Sequence, residues 1–330
     1  MKTRLAVLVF AAAAAIPTQA QQVPTVRALT EPWPEIVKVD GIEILHVQKN
    51  IYMLVGGGAN VTAQIGDEGV LLVDTGGIDQ GEKIVAAVRH LTKKPVRYII
   101  NTSADVDHAG GNASAMKAGG GRLGANGIPG RTANEGILEI STENAMNRLL
   151  KGGANFPPAE GEAVPESTFF TPRKSLYSNG EAVQILFQPA AHTDGDAVVF
   201  FRGSDVISAG EVFRTDSYPI IDAAAGGTIA GELAALNNIL DITVPERNEM
   251  GGTRVVPAYG RICNQSDVLE YRDMLTIIRD RIRDMVAKNM TLAQVKAARP
   301  TLEYDALYGT KAVSGDKFIE VVYSDLSKKK

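Results

Sequence analysis

A single cysteine, a single tryptophan and four histidines serve a chain of 330 residues, and each scarcity removes a class of explanation. With Cys263 alone, an intramolecular disulfide is excluded, so stability rests on packing of the 45% of residues that are hydrophobic. Neither sign of charge dominates, since 34 Lys and Arg face 38 Asp and Glu for a formal charge of -4. The basic residues are scattered apart from the terminal KKK, which leaves no basic footprint for nucleic acid. Long apolar runs are also missing. Beyond the first residues no stretch reaches the roughly 18 uncharged apolar positions of a membrane helix, and membrane insertion of the body is not expected.

The one apolar run stands at the start. Lys2 and Arg4 precede LAVLVFAAAAAI, Leu5 to Ile16, and TQA closes the stretch at Ala20. This is the pattern of a secretory signal peptide over residues 1–20. The expected mature chain begins near Gln21 and is periplasmic or secreted, without a lipid anchor, because no cysteine sits at the cleavage point.

Residues 21–41 are proline-punctuated and aperiodic, an extended lead-in in which Trp33 serves as a packing anchor. From Ile42 the texture changes. IEILHV, IYMLV, VTAQIG and VLLVDTG are short β-prone runs separated by Gly, Asn and Asp. IDQGEKIVAAVRHL then reads as a helix and VRYIINT as a strand. The segment 118–136 is rich in Gly and Asn and reads as a long surface loop, and TENAMNRLL is a short helix opened by Thr142. AVQILFQP, AVVFFRG, DVISAG and RVVPAYG form a second set of strands, and SDVLEYRDMLTIIRDRIRDMVAKN carries apolar residues at helical spacing. Two β-rich halves, each bordered by helices, predict one α+β domain over 42–330, built as an αββα sandwich.

The chemistry concentrates where strands hand over to loops. In NTSADVDHAGGN, residues 101–112, Asp107 and His108 follow a strand, and His192 stands in AAHTDGD beyond another. A rigid strand fixes such groups while the loop keeps them accessible. His46 and His90 fall inside a strand and a helix pattern, where packing or solvated surface explains them. Asp74 in VDTG and Asp196 in HTDGD read equally as partners that hold a ligand and as turn-forming aspartates. The glycines of VGGGAN read as flexible turn residues in preference to the frame of a substrate loop.

From Ile42 onward the chain resembles the metallo-β-lactamase superfamily. The resemblance is carried, in order, by NIYMLVGGGANVTAQIGDEGVLLVDTGG, YIINTSADVDHAGGN, PAAHTDGDAVVFF, ISAGEVF, YPIID, VVPAYG and LEYRDML. It implies an αββα sandwich with metals at one edge. The family's H-x-H-x-D-H loop falls on Ser103, Asp105, Asp107 and His108; its next histidine falls on His192, its bridging aspartate on Glu211 and its last histidine on Tyr259. Only Asp107, His108 and His192 match. One pocket would then be lined by Ser103, Asp105 and His192, the other by Asp107, His108 and Tyr259, with Glu211 between them.

Asp105 and Glu211 remain able to coordinate a cation, and a Tyr259 phenolate can do so if a metal lowers its pKa; Ser103 is a poor ligand. The set Asp105, Asp107, His108, His192, Glu211 and Tyr259 is oxygen-rich, which suits Mn or Fe as well as Zn, and supports one ion more readily than two. The expected function is metal-dependent hydrolysis of a small-molecule ester, lactone or similar substrate, with Asp107 orienting water and moving its proton. The alternative is a metal-free binding protein that uses the same cleft.

Overall fold

The alternation in VLLV shows how this fold is assembled. Val70 and Leu72 pack to one side of their strand, and Leu71 and Val73 to the other. All four are fully buried. A strand whose residues are apolar on both faces must be covered on both, so the sheet containing it lies inside the molecule.

The structure is a computed structural model that describes residues 36–122, 136–152, 157–247 and 251–328. The expected signal peptide, most of the lead-in with Trp33, and most of the 118–136 loop lie outside the described residues. Eight strands form the first sheet in chain order: β1 (Val37–Val39), β2 (Ile42–Gln48), β3 (Ile51–Val55), β4 (Val61–Gly66), β5 (Gly69–Val73), β6 (Val96–Ile100), β7 (Leu138–Thr142) and β8 (Ser167–Phe169). Its neighbours run antiparallel up to β5 and parallel from β5 to β8. The second sheet contains β9 (Arg173–Ser178), β10 (Glu181–Gln188), β11 (Asp196–Phe201), β12 (Val206–Ser208) and β13 (Arg254–Val256), in the order β13-β12-β11-β10-β9. Here only β12 and β13 are parallel.

Helices cover the outer faces. In the first half these are α1 (Gly81–Leu91), the single turn α2 (Val106–Ala109), α3 (Asn112–Gly119) and α4 (Glu143–Lys151). In the second half they are α5 (Ile229–Ile242), α6 (Gln265–Ala287), α7 (Leu292–Ala298), α8 (Asp305–Tyr308) and α9 (Gly315–Ser327). Thr142 caps α4, accepting from Ala145 N, as its sequence position predicts. A capping box of Asn264 and Asp267 starts α6 slightly earlier than the apolar periodicity shows. No helix among the described residues is long and apolar enough to cross a membrane.

Three hydrophobic clusters correspond to the three interfaces of the sandwich. One joins the outer face of the first sheet to Ile84, Val85 and Val88 of α1 and Met116 of α3. A second joins the two sheets, with Ile51, Leu71 and Ile100 facing Ile185, Val199 and Phe201. The third joins Val198, Ile207 and Val255 to Leu236, Ile278 and Phe318 of the second helical layer. Each fully buried side chain of this kind contributes about 1.5–3 kcal/mol relative to exposure. The expected αββα sandwich is therefore what the chain forms.

The topology also gathers loop ends. The parallel runs β5-β6-β7 and β12-β13 present their C-terminal ends, where parallel sheets place their ligand crevices. Asp74 follows β5, the 101–112 loop follows β6, Glu211 follows β12 and Tyr259 follows β13. His192 comes from the connection between β10 and β11.

Candidate metal centre

His108 is the fixed point of the cluster. It lies in α2, a turn held by bonds from His108 N and Ala109 N to Asp105 O, and is fully buried. Its Nδ1 donates to Asp74 Oδ2 at 2.7 Å, and its Nε2 faces Glu211 Oε1 at 3.0 Å. Asp74 is itself held by Thr102, whose N and Oγ1 donate to its two oxygens at 2.8 and 2.6 Å. Burial alone would lower the pKa of His108, but Asp74, followed by Glu211, raises it well above the ordinary imidazole value. Glu211 responds in the opposite sense. Burial would raise it, but His108, then His192 and Arg214, hold it below the usual carboxylate range.

His192 forms a second pair. Its Nδ1 donates to Ile220 O at 2.6 Å, and because a carbonyl only accepts, the proton on that nitrogen is fixed. Nε2 then points at Asp105 Oδ2, 2.7 Å away. Ser103 Oγ donates to the same Asp105 oxygen at 3.1 Å. Burial opposes the charge on both partners, but mutual attraction prevails. Hydrogen bonding and charge from Asp105 push His192 up to about 10, and His192 draws Asp105 down to about 2.

Tyr259 closes the group. Its hydroxyl donates to Asp107 Oδ2, and burial, then Asp107, raise its pKa. Tyr259 thus stands beside Asp107 as a hydrogen-bond donor.

The candidate ligands, with Ser103 and Asp74, form two hydrogen-bonded sets: Ser103, Asp105 and His192, and Asp74, His108, Glu211, Asp107 and Tyr259. Asp107, His108 and Glu211 each offer a ligand atom, and these atoms lie within 4.8 Å of one another. One imidazole nitrogen and two carboxylates fit a single Mn, Fe or Zn ion. The grip of Asp74 on the far nitrogen of His108 is the outer support that metal-binding imidazoles require.

Two readings left open by the sequence are also resolved. Asp196 accepts from Thr193 N and Oγ1, both at 2.7 Å, so it stabilises its own turn, and burial raises it to about 6. Of the two aspartates, only Asp74 grips a histidine. The glycines of VGGGAN are packed tightly. A Cβ on Gly58 would lie 2.8 Å from both Asp107 O and Gly77 N. Ala59 N donates to Asp107 O at 3.1 Å and Asn60 Nδ2 to Pro257 O at 3.0 Å, so this loop links the strand ends that carry Asp107 and Tyr259.

Sequence reading missed Arg214 and Glu232. Arg214 is only 3% exposed, with Nη1 3.5 Å from Glu211 Oε2, Nε 2.9 Å from Asp216 Oδ1, and Cζ 4.7 Å from the centre of the Tyr259 ring. Glu232 of α5 is fully buried, with neither carboxyl oxygen hydrogen-bonded. Burial and then Asp196 raise its pKa well above the ordinary value. A buried charged residue in an otherwise unremarked segment leaves no periodicity to find it by.

Comparison with known proteins agrees with this fold. Residues 54–255 match the model of the metallo-beta-lactamase superfamily. No curated protein matches the sequence. Among solved structures, the stereoselective inverting sec-alkylsulfatase Pisa1 from Pseudomonas sp. is similar at TM-score 0.61 and 14% identity, covering 85% of this chain and 49% of that one. This chain thus spans about half the length of that relative. A metallo-beta-lactamase from Pontibacter korlensis is similar at TM-score 0.54 and 16% identity, covering 71% and 99% of the two chains. One from Hirschia baltica is similar at 0.53 and 16%, covering 71% and 97%. At these identities the likeness establishes the fold alone.

Proposed function

Because the chain belongs to the metallo-beta-lactamase superfamily, we propose that it is an exported hydrolase of small-molecule esters, lactones or similar substrates that uses one divalent cation held by Asp107, His108 and Glu211. The observation that carries this reading is the convergence of those three ligand atoms within 4.8 Å, with the second nitrogen of His108 secured by Asp74.

A divalent cation in such a set supplies Lewis acidity and eases deprotonation of water near neutral pH. The chain's own groups do the rest. Asp107 is half-buried, and its Oδ2 accepts a hydrogen bond from the Tyr259 hydroxyl, which fixes the carboxylate; beside a cation it would orient water and accept its proton. His192 carries a fixed proton at Nδ1 and faces Asp105 through Nε2. As an imidazolium it donates from Nδ1 to Ile220 O and from Nε2 to Asp105, so its part is to hold the Asp105 carboxylate in place. Asp74 keeps the His108 ring oriented.

The test is elemental analysis of protein taken from its native compartment, together with ester and lactone assays. The parent is expected to carry about one equivalent of Mn, Fe or Zn, and His108→Ala or Asp107→Ala to lose both the metal and at least about 100-fold in rate. A metal-to-chain ratio near zero overturns this reading. A metal-free binding protein would then stand, and one observation favours it. His108, His192 and Arg214 are each matched by a carboxylate within 3.5 Å, so side-chain cations already offset part of the cluster's carboxylate charge without an ion. Export is tested by N-terminal sequencing of the mature protein, with a start near Gln21 expected and a start at Met1 or Lys2 opposing it.

A further inference from the structure

We propose that Arg214 is a built-in cation of this centre, one that claims an oxygen of Glu211 and thereby holds the site to at most one bound ion. The proposal rests on the one-cation reading of the site above.

Glu211 divides its two oxygens. Oε1 faces His108 Nε2 at 3.0 Å, inside the candidate ion cluster, and Oε2 faces Arg214 Nη1 at 3.5 Å. To hold two cations through its two oxygens, Glu211 would need both of them free. Here a side chain already engages one of them. The arrangement is built, since a buried guanidinium is costly unless it is matched, and Arg214 is matched on three sides by Glu211, Asp216 and the face of Tyr259. Its hold on Tyr259 extends to the other side of the cluster, because the same ring donates its hydroxyl proton to Asp107. One guanidinium thus positions both a carboxylate and the donor that fixes another. Unlike an imidazole, it cannot lose its charge in the pH range of proteins, so the restriction is permanent.

A fixed positive charge a few ångströms from an ion site opposes binding by about tenfold or more, even with strong screening. The full-length mature chain, stripped with chelator, is titrated with Mn2+ and with Zn2+ by calorimetry, and bound metal is counted after dialysis. The parent is expected to take at most one equivalent. Arg214→Gln is expected to bind Mn2+ about tenfold more tightly or more, or to take up a second equivalent. Arg214→Lys keeps the charge and is expected to stay within about threefold of the parent. If Asp216, left unpaired, prevents Arg214→Gln from folding, the double variant Arg214→Gln/Asp216→Asn carries the same test.

A cooperatively melting Arg214→Gln with parental affinity and stoichiometry overturns the proposal. So does a Lys variant that behaves like the Gln variant, since packing rather than charge would then be at work, and so does a parent that takes two equivalents. A parent that binds no ion while Arg214→Gln gains one overturns the hydrolase reading but supports the role of Arg214.

Discussion

Asp74 occupies left-handed backbone, φ +66°, a region that aspartate enters more readily than most residues. From there its oxygens meet Thr102 N, Thr102 Oγ1 and His108 Nδ1. Asn at this position keeps the shape but turns one acceptor into a donor, which faces the N–H of His108. Asp74→Asn is therefore expected to weaken Mn2+ or Zn2+ binding by about 10–100-fold, the usual cost of losing an outer-shell partner. Calorimetric titration checks this, and an unchanged affinity would show that His108 needs no such support. The pair Asp105–His192 makes a pH prediction at the same scale. His192 is raised to about 10 in the folded protein, so its stabilising contribution is complete below the ordinary imidazole range and is lost as pH rises through about 10. Asp105 is lowered to about 2, so its contribution is complete above the ordinary carboxylate range and is lost as pH falls through about 2. Metal-free protein in chelator should accordingly lose stability between neutral pH and pH 10, and Asp105→Asn should flatten that limb of the denaturation profile. Asp107 and His108 stood out in the sequence because their types and spacing resemble a known loop, and His192 because it falls where that family has its next histidine. Arg214 did not, since FRTD reads as ordinary surface until the fold buries it.

At the scale of elements, strand and helix identities followed from periodicity. VLLV reads as a buried strand because both faces are apolar, and Thr142 marks the start of α4 because its hydroxyl can accept from Ala145 N. What periodicity could not give was the role of the 56–60 loop. Glycine frees the backbone equally for a mobile turn and for close approach, and only the packed structure distinguishes them. At Gly58, φ is +123° and a Cβ would lie 2.8 Å from Asp107 O and Gly77 N. Gly58→Ala is thus expected to cost about 1–3 kcal/mol of stability through backbone strain and to weaken metal binding as well, because Asp107 must move. Equilibrium denaturation and metal titration measure the two effects. A stability loss with parental metal affinity would mean that the loop braces the fold without positioning Asp107.

At the scale of the whole molecule, the candidate centre is divided between the two sheets. Asp107 and His108 follow β6 of the first, and Glu211 follows β12 of the second. Their convergence therefore depends on how the sheets dock, which the middle hydrophobic cluster sets. Ile185 lies in that cluster and Ile282 in the outer one beneath the second helical layer, and both are fully buried. Replacing either with Ala leaves a cavity that costs about 2–5 kcal/mol, so denaturation alone will not tell the two apart. Metal affinity will. A cavity between the sheets lets them shift relative to each other and separates Glu211 from His108, whereas one under α6 is relaxed within a single half. Ile185→Ala is expected to weaken Mn2+ binding by about tenfold while Ile282→Ala leaves it near the parental value, because interiors are close-packed and transmit strain to what they carry. Equal affinities in the two variants would show that loop-to-loop bonds such as Asn60 to Pro257 and Gly260, rather than docking of the sheets, hold the two halves of the centre in register.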